Sequence, residues 1–247
     1  MNRAEILGLP SIPAAGPSYP FGPFHFVGRE YFVVLYETDA AAIREALPEP
    51  LEPAGDNLVA FEWMRTPDAS GFGAYTAAAL VIPATLGGTR YNFIAQMYLD
   101  NDAPIASGRE VWGFPQKYAQ PSLKVASDTL TGTMLYSGLP VANGSMTYKH
   151  ESQADELQKT VLVLTPPLVT LKVMPGADGK PAIAQLVTFT MTDVKVTGSW
   201  HGPARLELIP HANAPVADLP IRKVLLGRHF IADLTLPYGR VLHDYLK

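Results

Sequence analysis

The 247-residue sequence contains no cysteine, which excludes disulfide scaffolds, thiolate metal sites and cysteine nucleophiles. Its lysines and arginines never form a run longer than two residues and the net charge is −4, so no nucleic-acid partner is expected. No apolar run approaches the roughly 18 residues of a membrane span. The first residues also lack the basic segment and apolar core of a secretory signal, so we expect a soluble, cytoplasmic protein with no membrane partner.

Several cofactor and nucleophile motifs are missing as well. No GxGxxG or GxSxG pattern occurs, which argues against a nucleotide cofactor and against a serine hydrolase with a nucleophile elbow. The six histidines are scattered, and none has the two-histidine helical spacing of a zinc site. We therefore expect no metal and no cofactor.

Charged residues make up only 17% of the chain, below the usual ~25%. Such a neutral surface fits either a subunit interface or a set of proline-rich loops. The 23 prolines and 20 glycines are spread evenly, which favours many strands joined by turns. We predict one mainly β domain over 1–247 with a few short helices, a barrel or sandwich with an internal pocket, and an extended proline-rich arm over 1–23.

The local patterns predict individual elements. A helix capped by Asp39 is expected over 40–47, and 154–163 could be helical. A long hairpin is expected to turn at 176–179, where two glycines flank an Ala-Asp pair. The predicted strands are 31–36, 58–64, 74–82, 91–99, 123–125, 130–136, 168–174, 183–196, 205–209 and 231–236.

Glu62 is the first candidate for chemistry. Strand alternation places it on the same face as Leu58, Ala60 and Met64, where a carboxylate is costly unless it is paired or functional. It could be a general acid or base with a raised pKa. The alternatives are a structural carboxylate paired with an arginine and an edge-strand residue facing water.

Arg29 and Arg109 each stand in a Gly-Arg-Glu sequence. A guanidinium can bind a substrate carboxylate through two parallel hydrogen bonds. The alternative is an ordinary salt bridge with the following glutamate, which we favour for Arg109 and leave open for Arg29.

Lys117 follows the aromatic and apolar residues Trp112 and Phe114. Burial lowers the pKa of a lysine, and a neutral amine can attack a ketone to form an imine. The alternative is a solvated lysine at the end of a strand.

The whole chain resembles the acetoacetate decarboxylase family. The resemblance is carried by short motifs throughout the sequence: Pro20-Phe21-Gly22-Pro23, Arg29-Glu30-Tyr31-Phe32, Pro48-Glu49-Pro50-Leu51-Glu52, Tyr98-Leu99-Asp100-Asn101, Gly108-Arg109-Glu110, Gly202-Pro203-Ala204-Arg205-Leu206, Asp218-Leu219-Pro220 and Asp244-Tyr245-Leu246-Lys247.

This resemblance implies a closed, cone-shaped β-barrel with an apolar pocket, in a homo-oligomer. It implies decarboxylation of a small keto acid through a lysine imine, without metal or organic cofactor. Arg29 matches the active-site arginine of the family, and Glu62 matches one of its two active-site glutamates.

Two positions depart from the family pattern. Decarboxylases of the family carry two consecutive lysines after the proline, the first being the nucleophile, whereas this chain has Gln116 followed by Lys117. The second family glutamate falls on Ala77. If the segment is extended, Lys117 points away from the pocket that Gln116 faces, whereas a bulge or turn after Pro115 could bring it back.

Three functions remain open at this stage. The first is a lyase that forms an imine on Lys117. The second is an enzyme with the same barrel but no imine, in which Glu62 is a general acid/base for hydratase/dehydratase, aldolase, isomerase or cyclase chemistry and Arg29 and Gln116 bind the substrate. The third is a non-catalytic barrel that binds a small acid.

Overall fold

The computed structural model describes residues 1–152, 158–160, 164 and 166–247. The possible helix over 154–163 lies mostly outside these ranges. The fold is mainly β with a few short helices, which confirms the predicted fold class.

The larger of two sheets forms the body of the fold. Its central path runs in the order β13, β15, β1, β3, β5, β6, β11, β12, β16, and β2, β4 and β7 pair at its side. The strands of this path are β1 (Phe24–Glu37), β3 (Leu58–Thr66), β5 (Tyr75–Leu86), β6 (Thr89–Leu99), β11 (Leu168–Pro175), β12 (Pro181–Phe189), β13 (Thr192–Gly202), β15 (Lys223–Leu236) and β16 (Arg240–Asp244). The side strands are β2 (Glu52–Pro53), β4 (Asp68–Ala69) and β7 (Gln116–Tyr118).

Among the described residues, the two ends of this path do not pair with each other. The cone implied by the resemblance is present here as a sheet that wraps around a cavity, because β1, β3, β5, β6 and β15 all contribute residues to its wall.

The second sheet has the order β14, β10, β9, β8 and packs against the outer face of the first. Its strands are β8 (Gln120–Ala126), β9 (Thr129–Tyr136), β10 (Leu139–Thr147) and β14 (Ala204–Leu208). The hairpin predicted between 123–125 and 130–136 is confirmed as β8 and β9.

Trp63 joins the two sheets. It is completely buried, on the face of β3 opposite to Glu62, and its Nε1 donates to the carbonyl of Thr133 at 3.0 Å. Gly132 and Gly144 lie against its ring, and a Cβ at either position would be 2.4–2.5 Å from a ring atom. Both glycines are therefore required by close packing.

The helices are short and lie at the edges of the sheets. They are α1 (Arg3–Leu7), α2 (Ala40–Ala46), α3 (Asp102–Ser107), a π-helix (Gly108–Trp112) and a 3₁₀ turn (Val216–Asp218). None of the helices in the described part of the chain is long and apolar enough to cross a membrane.

The predictions for the first third of the chain need two corrections. The N-terminal arm is irregular over 10–23 as expected, but α1 forms within it because Asn2 and Glu5 make a reciprocal capping box. Asp39 stands at the start of α2 without capping it by a side-chain hydrogen bond. Its carboxylate instead accepts two hydrogen bonds from Arg222, at 2.6 and 2.8 Å.

Two strand predictions were incomplete. The predicted strand over 183–196 is two strands, β12 and β13, which separate at residues 190–191; the turn at 176–179 is confirmed. Strand β10 was not predicted at all. It follows a tight turn in which Ser137 and Gly138 both have positive φ, as in the two-residue turns that suit hairpins.

A β-bulge interrupts β1 next to β15. Three residue steps from Phe26 to Arg29 oppose only two steps on β15, so β1 contains one extra residue. Gly28 adopts a φ of 61° within the bulge, and its amide donates to Asp233 Oδ1 at 2.8 Å. As a result Phe26 and Arg29, three residues apart, both face the cavity.

Candidate active site

The cavity inside the large sheet has a volume of about 450 Å³. Apolar side chains dominate its wall, including Val33, Ile94 and Phe230. Arg29, Glu62 and Gln116 also face it, so three of the four predicted site residues share one cavity.

Arg29 is almost completely buried, with 4% of its surface exposed. Its guanidinium carbon lies 4.8 Å from the ring centre of Phe26 and 5.2 Å from that of Tyr31, and Nη2 lies 3.1 Å from the sulfur of Met64. No residue of the described structure accepts a hydrogen bond from Nε. The salt bridge with Glu30 considered from the sequence does not form, because Glu30 lies on the opposite face and binds Arg65 and His229.

Burial alone would lower the pKa of Arg29, since it penalises the charged form. The neighbouring Tyr31, Tyr75 and Glu62 outweigh this effect and raise the pKa above its ordinary value. Arg29 is therefore a permanent positive charge in an apolar cavity.

Glu62 extends from β3 into the cavity, on the same face as Ala60 and Met64, as strand alternation predicted. Burial raises the pKa of Glu62 to about 7, although the positive charge of Arg29 opposes the rise. Near neutral pH both protonation states are populated, which is the condition that general acid/base catalysis requires.

Gln116 occupies the cavity at the start of β7. The π-helix and Gly113, whose φ is 82°, turn the chain sharply before this strand. Gln116 is 5% exposed; its Nε2 has only the sulfur of Met97 at 3.5 Å, and its Oε1 has no partner within the described chain. Its amide lies against Gly108, where a Cβ would approach Oε1 to 2.1 Å.

Lys117 does not line the cavity. β7 pairs in parallel with β6 as an extended strand, so neighbouring side chains of β7 point to opposite sides. The Lys117 side chain is exposed, its Nζ donates to the carbonyl of Asn213 at 2.5 Å and lies 5.3 Å from the ring centre of Tyr136. The structure therefore gives the geometry expected of an extended segment, without the bulge that could have turned Lys117 inward.

Ala77, at the position of the second family glutamate, is completely buried in β5 opposite Met64.

Arg109 does not form the expected salt bridge with Glu110. Its Nη1 donates to the backbone carbonyl of Gln116 at 3.1 Å, while Glu110 accepts a 2.6 Å hydrogen bond from the Tyr19 hydroxyl. Arg109 thus fixes the backbone that carries Gln116.

Two tyrosines of the site were not predicted from the sequence. Tyr31 and Tyr75 both face the cavity beside Arg29, and burial raises the pKa of Tyr31 to about 12, which keeps it a neutral phenol. Alternation from Arg29 would have found Tyr31, two residues further along β1. Nothing in the sequence brings Tyr75 to the same place. No cluster of three metal-binding side chains occurs in the ranges that the structure describes.

Comparison with known proteins gives a consistent result. The family model described as Acetoacetate decarboxylase (ADC) matches residues 9–246. The chain is 48% identical over 236 residues to the acetoacetate decarboxylase of Bordetella avium (strain 197N), covering 96% of this chain and 95% of the relative. It is 46% identical over 236 residues to that of Acidiphilium cryptum (strain JF-5), with the same coverage.

A solved structure of acetoacetate decarboxylase from Legionella pneumophila superposes with a TM-score of 0.92 at 42% identity, covering 97% of this chain and 94% of that chain. The chain therefore belongs to the acetoacetate decarboxylase family.

Proposed function

We propose that the protein is an acetoacetate decarboxylase-like lyase that acts on a small keto acid by proton transfer through Glu62, without a lysine imine. The names of its relatives support a lyase of this family. A reaction without an imine is supported by the orientation of β7, which directs Gln116 into the cavity and Lys117 out of it. An imine needs a free amine within the cavity, and an amide nitrogen cannot replace it because its lone pair is delocalised.

Arg29 would bind the carboxylate of the substrate. A guanidinium and a carboxylate form two parallel charge-assisted hydrogen bonds, and such a pair is strong where water is excluded. Two observations support this role. Nε of Arg29 has no hydrogen-bond partner among the described residues, and aromatic rings surround the guanidinium.

Gln116 would bind the ketone. Its Nε2 has only a weak acceptor in the Met97 sulfur, so it can donate to a carbonyl oxygen of the substrate. This hydrogen bond would strengthen as negative charge develops on that oxygen. Gln116 Oε1, which has no partner in the described structure, can accept from a substrate hydroxyl.

Glu62 would move the proton. Its carboxylate removes a proton from the carbon next to the ketone, the C–H electrons form a carbon–carbon double bond, and the ketone oxygen becomes an enolate. Where the next carbon carries a hydroxyl group, the enolate expels it, and the proton held by Glu62 joins it to give water. The net reaction is loss of water from a hydroxy keto acid, which needs no cofactor.

Exchange of substrate hydrogen in D₂O tests this proposal. With a panel of 2-oxo and 3-oxo acids, we expect enzyme-dependent incorporation of deuterium next to the ketone, measured by NMR. Glu62→Gln should slow the exchange by ~10²–10⁴-fold, the usual contribution of general acid/base catalysis. Lys117→Ala is the matched control and should leave the exchange rate unchanged.

The other two functions give different results. If an imine forms on Lys117, borohydride will trap a substrate adduct on that residue and Lys117→Ala will abolish exchange. If the cavity only binds ligands, acids will bind without exchange in either variant. Either result would overturn the proposal.

A further inference from the structure

The cavity is much longer than a four-carbon keto acid. Arg29 and Leu35 both line it, and six residue steps of a strand at about 3.3 Å each span about 20 Å. Four carbons joined by bonds of about 1.5 Å reach no further than about 5 Å. Its volume of about 450 Å³ also falls within the 300–1,000 Å³ range of sites that enclose drug-sized ligands.

The two ends of the cavity differ in exposure. Arg29 and Gln116 are 4% and 5% exposed and belong to the interior end. Arg90 also lines the cavity, but its side chain is 52% exposed and pairs with Asp56 at 2.7 Å, so it marks the mouth.

The wall between Glu62 and the mouth is mainly apolar; its polar members are Asn92 and Arg228, whose Nη1 donates to the Thr160 hydroxyl at 2.9 Å. Val33 is the cross-strand partner of Glu62, and Leu35, Val81 and Leu226 lie two residues further along β1, β5 and β15. β3 places only the small side chain of Ala60 beside Leu35 and Val81, which leaves room between the strands. A purely polar substrate would leave this apolar stretch without a contact.

We propose that the cavity takes keto acids with an apolar tail of about six carbons or more, with the carboxylate at Arg29 and the tail directed past Val81 toward Arg90. Only one part of this inference, the keto group of the ligand, rests on the proposed function. The position of the acid and the tail can be tested with acids that cannot react.

The first test is calorimetric binding of butanoate, hexanoate, octanoate and 4-phenylbutanoate to the wild-type protein. Each buried methylene should raise the affinity about fourfold, so octanoate should bind roughly two orders of magnitude more tightly than butanoate. Equal affinities along the series, or a decline with length, would overturn the inference. Because these acids lack a ketone, failure of the proposed reaction would leave this result unchanged.

The second test blocks the path. Val81→Phe should weaken octanoate at least tenfold and leave butanoate unchanged. The Arg29 guanidinium contacts Met64 beside Tyr31, four residue steps or about 13 Å from the level of Val81, and a carboxylate bound there brings the tail of octanoate, but not that of butanoate, to this position. Val173→Phe is the matched control, because Val173 is exposed on β11 and does not line the cavity; it should change neither affinity. If Val81→Phe weakened both acids equally, or neither, the assigned direction of the tail would be wrong. If Val81→Phe does not fold, the affinities of the wild-type protein for the four acids still test the inference.

Discussion

Gln116 and Lys117 are adjacent in β7, yet their side chains end in different environments. The Gln116 amide lies in the cavity beside Gly108 and Met97, and the Lys117 amine binds the carbonyl of Asn213 outside it. The parallel pairing with β6 fixes this arrangement, since Met97 opposes Gln116 and Tyr98 opposes Lys117. The chemistry available to the protein therefore depends on which of two neighbouring positions holds an amine.

Gln116→Lys should introduce imine chemistry. The new amine would be buried and would lie in the same cavity as the Arg29 cation, and both effects lower the pKa of a lysine. Borohydride reduction with a small keto acid should leave a mass adduct at position 116, whereas the wild-type protein should show none. An adduct on Lys117 in both proteins would contradict this prediction.

The pH dependence of activity should follow Glu62. Its pKa of about 7 means that the catalytic base is mostly protonated below neutral pH. We expect kcat/KM for α-hydrogen exchange to rise with pH and level off above about pH 7. A profile that is flat between pH 5 and 8, or that falls over this range, would exclude Glu62 as the base.

The raised pKa of Glu62 should also make the stability of the fold depend on pH. The folded pKa of Glu62 is raised from 4.5 to about 7, so between these values the folded state binds more protons than the unfolded state. Stability from this group is fully present below pH 4.5 and is lost as the pH rises through 7, by at most about 3 kcal/mol. Urea unfolding at pH 5 and pH 8 should therefore show a smaller loss for Glu62→Gln than for wild type; parallel losses would be inconsistent with the raised pKa.

Arg29→Met should affect both binding and proton transfer. Loss of the guanidinium should raise KM for keto acids at least about tenfold. Because Arg29 lowers the pKa of Glu62, the pH profile should also move to higher pH. Arg205→Met, at an exposed position on β14, is the control and should change neither quantity. An unchanged pH profile in Arg29→Met would show that the two charges do not interact.

Gly144→Ala should destabilise the junction of the two sheets. Its new Cβ would lie 2.5 Å from the Trp63 ring and 3.1 Å from Phe32, and overpacking of this kind costs about 1–3 kcal/mol. Gly8→Ala is the control, because the nearest atom there is 3.4 Å away and φ is −89°. The measurement is the free energy of unfolding in urea, and equal values for the two variants would argue against tight packing around Trp63.

Much of the site follows from residue alternation in the sequence. Period-two alternation placed Glu62 on the face of Ala60 and Met64, and for an extended segment it predicted opposite directions for Gln116 and Lys117, while a bulge or turn that would bring Lys117 inward stayed open. These predictions succeeded because they concern neighbours within one strand, where the backbone alone decides the side-chain direction.

Features that depend on distant parts of the chain could not be predicted in this way. The partner of Asp39 is Arg222, the partner of Lys117 is the carbonyl of Asn213, and Tyr75 reaches Arg29 from another strand. The break between β12 and β13 was missed because the apolar pattern continues through residues 190–191 while the strand changes its hydrogen-bonding partner from β11 to β15. Local sequence contains no record of such a change of partner.

The bulge at Gly28 determines which residues of β1 upstream of Arg29 face the inner cavity. If the residues from Phe26 to Arg29 paired regularly, with the bulge lost and no residue removed, Phe26 would turn outward to the side that holds Glu30. His25, now outside the cavity wall and 2.9 Å from the Thr235 hydroxyl, would turn inward in its place. A one-residue deletion at 27–28 would instead leave Phe26 two residues before Arg29 on a regular strand, so both would still face the cavity, and a relative that is one residue shorter here should keep the same aromatic wall.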